Sequence, residues 1–258
     1  MRHDAAGAGT SLDPGSYRAL RRPAGARHVE AIDQRALPHA VVTVRIADAD
    51  VAALAIRAMW IRGAPLIGAV GAYGLAMALD RDASDAGLAR AHAALDATRP
   101  TAVNLRWALD RVRRLVAPLA PADRADAAWR EADAIAAEDV AINHAIGEHG
   151  VRILERIAAR NAGPVNVMTH CNAGALATCG WGTATAPVFL AHARGLAVAW
   201  ITDNGDAKGG SSSEWVLLSA DPAALAKPSI AEAAAPIDVR RDWRLWTDDF
   251  NNLVQVLK

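Results

Sequence analysis

The fold class is decided by residues 163–202, whose sequence is GPVNVMTHCNAGALATCGWGTATAPVFLAHARGLAVAWIT. The apolar, β-branched stretch at 163–170 predicts a short buried strand, and GLAVAWIT at 195–202 predicts a second one. Between them, a turn of small residues leads into a helix. The order strand, turn, helix, strand is typical of the beginning of a doubly wound, Rossmann-like α/β domain with a parallel sheet.

The residues before this stretch are predicted to be mostly helical. Residues 28–46, HVEAIDQRALPHAVVTVRI, favour one or two strands. Residues 47–61 place acidic residues ahead of apolar ones at helical spacing, which predicts a helix with its acids in the first turn. Residues 65–79, PLIGAVGAYGLAMAL, predict an apolar helix whose glycines permit close backbone approach. Alanine-rich helical patterns continue to about residue 160.

We therefore expect an α/β chain in three parts. Residues 1–160 form a mainly helical N-terminal domain with short strands, and residues 161–202 begin the Rossmann-like domain. Residues 203–258 form a divergent tail that opens with a polar, glycine-rich stretch. One strand–helix–strand unit is little for an α/β domain, which needs several covered parallel strands, so the sheet is expected to be incomplete.

The tail also differs in its basic residues. All three lysines, Lys208, Lys227 and Lys258, lie in it, whereas 22 of the 25 arginines lie in residues 1–200. Either chance or a separate origin of the tail explains this division. Together with the short sheet, it suggests a truncated or fused gene product.

The overall composition excludes several classes of protein. The 258 residues carry 28 Lys+Arg and 28 Asp+Glu, so the formal net charge is zero. A zero balance gives no long-range attraction to nucleic acid or to an anionic membrane, so neither is an expected partner. No apolar run reaches the roughly 18 residues needed to span a bilayer. Two cysteines cannot form a disulfide framework, so a cytoplasmic location is expected.

The first candidate site is Cys171 within THCNAGALAT, residues 169–178. A cysteine where a buried strand ends and a small-residue turn begins meets free backbone N–H groups, which favour a thiolate or a bound anion. The alternative is a small buried hydrophobic residue, which is the usual role of a free cysteine. Cys179 is expected in the core, inside a helix. The spacings of both cysteines and the nearby histidines match no common zinc site, so no metal is expected.

Two arginines lie at helix boundaries and are candidate anion ligands. Arg62 precedes Gly63 and Ala64 in IRGAPLIG, where backbone N–H groups and a guanidinium can surround a phosphate. Arg99 precedes a proline that begins a helix. For each, the alternative is an ordinary solvated arginine.

Five ordered blocks together resemble the methylthioribose-1-phosphate isomerases of the initiation-factor-2B-like superfamily. The blocks are IDQRALPH, IRGAPLIGAVGAYG, RPTAVNLRWALDR, EDVAINHAIGEHG and THCNAGALATCGWGTA, and they cover about residues 30–200. These enzymes interconvert an aldose and a ketose in methionine salvage.

The resemblance implies a mainly helical domain followed by a Rossmann-like domain, in a homodimer without metal or organic cofactor. The implied substrate is the sugar phosphate 5-methylthio-ribose 1-phosphate and the product is 5-methylthio-ribulose 1-phosphate. Arg62, Gly63 and Ala64 match the family's substrate-binding turn, and Arg99 matches its second substrate-binding arginine. Cys171 matches its catalytic cysteine.

After Ile201 the sequence departs from this family. The aspartate that acts as the family's acid, in a GADR-type strand end, has no match, and only Asp203, Asp206 and Asp221 are candidates to replace it. The alternative is therefore that the chain is a non-catalytic member of the superfamily, which binds a sugar phosphate or nucleotide or acts as a regulatory subunit.

Overall fold

The computed structural model describes residues 18–37, 40–160, 165–167, 169, 172–203, 213–219, 222–232 and 234–235. In these ranges the chain is α/β and mostly helical, as predicted. Cys171 lies outside the described residues, as do Asp206, Asp221 and most of the tail. None of the described helices is long and apolar enough to cross a membrane.

A small antiparallel sheet begins the described chain. Its strands, in the order β1-β2-β3, are Leu20–Arg21, Val29–Ile32 and Thr43–Ile46. Val29 pairs with Ile46 in the register, and both side chains are fully buried. The predicted strands at 28–46 are therefore confirmed, separated by a 3₁₀ turn at Gln34–Ala36.

Five helices follow and form the main layer. They are α1 (Ala49–Arg57), α2 (Ala64–Arg81), α3 (Asp85–Asp96), α4 (Val103–Val116) and α5 (Pro121–Ala158). Asp48 caps α1, because its Oδ1 accepts a hydrogen bond from Val51 N at 2.9 Å. Ser84 caps α3 in the same way through Gly87 N at 3.0 Å.

The apolar helix α2 is the centre of the core. It is buried from Leu66 to Met77 and exposed only near its two ends, and α1, α3, α4 and α5 pack around it. The beginning of α4 approaches α2 so closely that a Cβ on Gly68 would lie 2.9 Å from the carbonyl oxygen of Asn104. The expected close backbone approach is thus present, and it places the N-terminal turns of α2 and α4 side by side.

The C-terminal half of α5 supports a second, smaller apolar cluster. It packs against α6 (Ala186–Ala193), where a Cβ on Gly150 would lie 2.5 Å from Pro187 Cγ. Val151, Leu154 and Val165 belong to the buried cluster that results. The short helices α7 (Pro222–Leu225) and α8 (Pro228–Ala231) complete the described helical segments.

The second sheet corrects the predicted parallel pairing. Its strands are β4 (Val165–Val167), β5 (Ala197–Asp203), β6 (Ser213–Ser219) and β7 (Ala234–Ala235), in the order β4-β6-β5-β7, and every described pair is antiparallel.

The physical reason for this pairing is the short connection after β5. Only residues 204–212 separate β5 from β6, whereas a parallel pair needs a crossover of about a dozen residues or more. β6 therefore returns antiparallel to β5 and occupies the position between β4 and β5. Both predicted strands exist and point the same way, but they are not direct neighbours.

A buried arginine joins three parts of the helical layer. Arg124, near the beginning of α5, is 4% exposed. Its guanidinium donates to the carbonyl oxygens of Leu119 at 3.0 Å, Ala83 at 2.9 Å and Ala117 at 3.0 Å, and it pairs with Asp85. Carbonyls at the end of α4 and after α2, which no helix bond satisfies, are satisfied here by one cation.

Replacing Arg124 by Ala is expected to lower the free energy of unfolding by about 3 kcal/mol, because three carbonyl oxygens lose the charged donor that a buried side chain supplies. The exposed ion pair between Arg90 and Asp82 provides the control, since Arg90→Ala is expected to cost less than about 1 kcal/mol. Urea denaturation of both variants measures the difference. Equal losses would contradict the proposed role of Arg124.

Candidate active site

The turn with Arg62 and Gly63 leads directly into α2. Gly63 precedes the helix with φ of +94°, a conformation that residues with a Cβ rarely adopt, and Ala64 is the first helical residue. The site is therefore the N-terminus of an 18-residue helix rather than the end of a preceding one. Unpaired N–H groups and the positive end of the helix dipole favour an anion at such a position.

The segment that follows Cys171 packs onto this turn. We call residues 172–185 the post-cysteine segment; it contains a 3₁₀ turn at Ala175–Ala177. A Cβ on Gly63 would overlap the Cα, Cβ and carbonyl oxygen of Ala177. The two backbones are thus in direct contact, although more than 100 residues separate them along the chain.

Gln34 joins the post-cysteine segment to the same turn. Its Nε2 donates to the carbonyl oxygen of Leu176 at 2.8 Å, and its backbone N–H donates to the carbonyl oxygen of Trp60 at 2.8 Å. The side chain is 6% exposed, so this amide has little access to water. Sequence reasoning did not select Gln34; the only signal was its place in the block IDQRALPH.

Asp139 holds the segment from the side of α5. Its Oδ2 accepts from the backbone N–H of Cys179 at 2.7 Å, and its Oδ1 accepts from Asn143 Nδ2 at 3.0 Å. Burial raises the pKa of Asp139, while the hydrogen bonds from Cys179 and Asn143 oppose that shift. Asp139 was not selected from the sequence either, although it lies in the block EDVAINHAIGEHG.

Cys179 is a buried free cysteine, as predicted, but it does not lie in a helix. Burial is the main reason why the pKa of its thiol lies well above the ordinary value, and the negative charge of the Asp139 carboxylate is the second. A thiol held neutral in this way is a poor nucleophile at neutral pH. Cys179 is therefore not a candidate for the reactive group.

Arg99 lies in the connection between α3 and α4, where its carbonyl oxygen accepts from Ala102 N at 2.9 Å. The predicted helix start at Pro100 is wrong, because this hydrogen bond closes a turn and α4 begins only at Val103. The beginning of α4 is the part that touches α2 near Gly68. Arg62 and Arg99 therefore lie in turns at the same end of α2. Both arginines, Gly63 and Ala64 remain predicted substrate ligands.

The described residues contain no group of three or more His, Cys, Asp or Glu side chains that could hold a metal ion. Cys171 and His170 are outside those residues, so the absence of a metal there remains a prediction. What the described residues offer is a helix N-terminus, two arginines in the turns at that end of α2, and a tightly held segment beside them. This combination can bind a phosphate and position a group carried by the segment.

Comparison with known proteins identifies chains that are similar to this one. The model of the initiation factor 2 subunit family matches residues 60–202, from just before the Arg62 turn to β5. A methylthioribose-1-phosphate isomerase of Dechloromonas aromatica is 53% identical over 208 residues, covering 80% of this chain and 58% of that protein. The isomerase of Methylocella silvestris is 57% identical over 172 residues, covering 66% and 47%.

Two solved structures are also similar. The 5-methylthioribose 1-phosphate isomerase of Pyrococcus horikoshii has a TM-score of 0.61 and 34% identity, covering 69% of this chain and 50% of that one. The delta subunit of translation initiation factor eIF-2B from A. fulgidus has a TM-score of 0.59 and 33% identity, covering 70% and 52%.

These relatives confirm the resemblance seen in the five sequence blocks. The chain spans about half the length of the curated relatives that it matches. The family model, by contrast, covers more than half of this chain and includes both the turn and the post-cysteine segment. The chain belongs to the initiation factor 2 subunit family.

Proposed function

We propose that this chain carries the activity named for its isomerase relatives, the conversion of 5-methylthio-ribose 1-phosphate to 5-methylthio-ribulose 1-phosphate in methionine salvage. The observation that carries the proposal is the backbone contact between Gly63 and Ala177. It brings the segment that follows Cys171 to the N-terminus of α2. A phosphate-binding turn and a reactive cysteine are thereby assigned to one site.

In this proposal the substrate phosphate binds at the N-terminus of α2. Arg62 and Arg99 supply guanidinium donors, while Gly63 and Ala64 supply backbone next to the anion. The absence of a side chain at Gly63 has a second consequence, since it admits the post-cysteine segment. Cys171, which directly precedes that segment in the sequence, is the proposed catalytic residue.

The chemistry requires two proton-transferring roles. The phosphate on the anomeric carbon locks the furanose, so an acid must protonate the ring oxygen before the ring opens. A second group then moves hydrogen between C2 and C1, and we assign this role to Cys171. Asp203, the last residue of β5, is the ring-opening candidate within the described residues.

We also propose that residues 161–202 have a Rossmann-like fold. β4, α6 and β5 follow in the order of a crossover unit, and β4 and β5 point the same way because both are antiparallel to β6. This order supports a Rossmann-like origin for residues 161–202, with β6 placed between the two strands. The boundaries at residues 160 and 202 remain predictions.

We further propose a homodimer in the cytoplasm. On the C-terminal half of α5, Ile142, Ile146, Ile153 and Ile157 share one face and are 37–58% exposed, which supports burial against a second copy. The proposed cytoplasmic location rests on the low number of cysteines, since the chain has only two and Cys179 is a free thiol.

The activity is tested by incubating the purified protein with 5-methylthio-ribose 1-phosphate and following the ketose by NMR. Turnover that Cys171→Ala abolishes is the expected result. Calorimetry with the same sugar phosphate separates the remaining outcomes. Binding without turnover would favour the non-catalytic alternative, and neither binding nor turnover would contradict both.

Replacing Gly63 by Ala is expected to displace the post-cysteine segment, because the new Cβ would overlap Ala177. The matched control is Gly195→Ala, whose φ of +89° is similar but whose Cβ would meet nothing within 4 Å. Both variants incur about 1 kcal/mol of backbone strain, and Gly63→Ala adds about 2 kcal/mol for the overlap.

Urea denaturation measures these losses, and calorimetry measures sugar-phosphate binding. Gly195→Ala should bind as the unmodified chain does, while Gly63→Ala should lose binding. Equal stability and equal binding of the two variants would show that the contact with Ala177 does not form.

A further inference from the structure

We propose that Asp139 is a positioning residue that fixes the post-cysteine segment, which begins directly after Cys171 in the sequence, against the Arg62–Ala64 turn. The inference rests on the proposed function, because it assigns Asp139 a part in the action of Cys171. Neither the resemblance nor the names of the relatives gives this aspartate a role.

The post-cysteine segment is held at three places by three different elements. Gln34 binds the carbonyl oxygen of Leu176, and Gly63 receives the backbone of Ala177. Asp139 binds the N–H of Cys179, on the far side of the 3₁₀ turn. The first two contacts come from the 3₁₀ turn at Gln34–Ala36 and from the turn before α2, whereas the third connects the segment to α5.

The geometry at Asp139 requires a group with two acceptor oxygens. One oxygen faces Asn143 Nδ2 and the other faces Cys179 N–H, so both neighbours are donors. An amide at this position would present one oxygen and one N–H group. Its oxygen could keep the bond to Cys179, but its N–H group would then face another donor.

The surroundings explain why this acceptor is effective. Asp139 is partly buried, so water competes weakly for the Cys179 N–H. The groups around the carboxylate are Asn143 on its own helix and the Cys179 thiol on the segment. The Arg18 guanidinium lies near Gly180, 3.1 Å from where a Cβ on that glycine would be. Its positive charge lowers the pKa of the Cys179 thiol and so opposes the effect of burial.

The segment needs such an anchor because part of its backbone is strained. Trp181 has φ of +70° and Gly182 has φ of +76°, and the tryptophan has no glycine-like freedom. Local bonds help, since Thr185 Oγ1 donates to the carbonyl oxygen of Trp181 at 2.7 Å. The ring of His144, one turn beyond Asp139 on α5, also packs edge-on against Trp181 with centroids 4.9 Å apart.

Two substitutions and one control test the proposal. Asp139→Ala removes both acceptors, while Asp139→Asn keeps one oxygen for the Cys179 N–H. The control is Asp133→Ala on the same helix, because Asp133 binds Tyr73 and Arg22 and makes no bond to the post-cysteine segment.

The first readout is hydrogen exchange of peptides that cover residues 172–185. The second is the pH profile of Cys171 alkylation by iodoacetamide, located by mass spectrometry. For Asp139→Ala we expect faster exchange of the segment and a Cys171 alkylation rate changed at least about threefold, because the segment that follows Cys171 loses its anchor on α5. Asp139→Asn should recover part of both changes, and Asp133→Ala should lower stability without producing either.

The third readout is turnover, where the unmodified chain has it. Asp139→Ala should lower kcat by about 10- to 100-fold while changing KM much less, since misplacing a reacting group affects the chemical step. If the unmodified chain shows no turnover, the proposed function fails, and the first two readouts still decide whether Asp139 fixes the post-cysteine segment.

The proposal is overturned if Asp139→Ala leaves segment exchange and Cys171 alkylation unchanged. It is also overturned if Asp133→Ala produces the same changes, because general destabilisation would then explain them. Should Asp139→Ala not fold, Asp139→Asn decides, and an Asn variant identical to the unmodified chain in both readouts contradicts the proposal.

Discussion

The burial of the middle of α2, from Leu66 to Met77, is the constraint on which the rest of this structure depends. An apolar helix exposed to water on any side would be unstable, so α1, α3, α4 and α5 must surround it. Its glycines bring α4 within backbone contact distance at Gly68. Once α2 is enclosed, its N-terminus has a fixed position, and the Arg62–Ala64 turn is presented next to the post-cysteine segment.

Many arginines of this chain form ion pairs with carboxylates of neighbouring elements. Arg111 pairs with Glu131 and Glu138 across α4 and α5, and Arg194 ties α6 to Glu148. Because such pairs lie between elements, they fix the alignment of helices, although exposed pairs add little stability. The equal totals of acidic and basic residues thus reflect many short-range pairs. The buried Arg124 is the extreme case, with backbone carbonyls as its main partners.

The site shows how far reasoning from the sequence extends. Arg62 and Gly63 could be selected because they directly precede a helix, and Arg99 because it precedes Pro100 in the turn before α4. Local rules are strong at such positions. Gln34 and Asp139 could not, since a polar residue in a mixed strand or helix pattern has many ordinary explanations. Their partners are backbone groups of Leu176 and Cys179, more than 35 residues away along the chain. No local pattern specifies such a partner.

The sequence by itself determined the helices, the two short strands around residue 30 to 46, and the order strand, helix, strand after residue 164. Periodicity, capping residues and glycine or proline punctuation are local properties, so they act without knowledge of the fold. Only the tertiary structure decided the antiparallel pairing of β6 between β4 and β5, and the contact of Gly63 with Ala177. Both depend on which distant backbones meet. Hydrogen bonding and close packing between segments settle that choice, and neither is encoded in a single stretch of sequence.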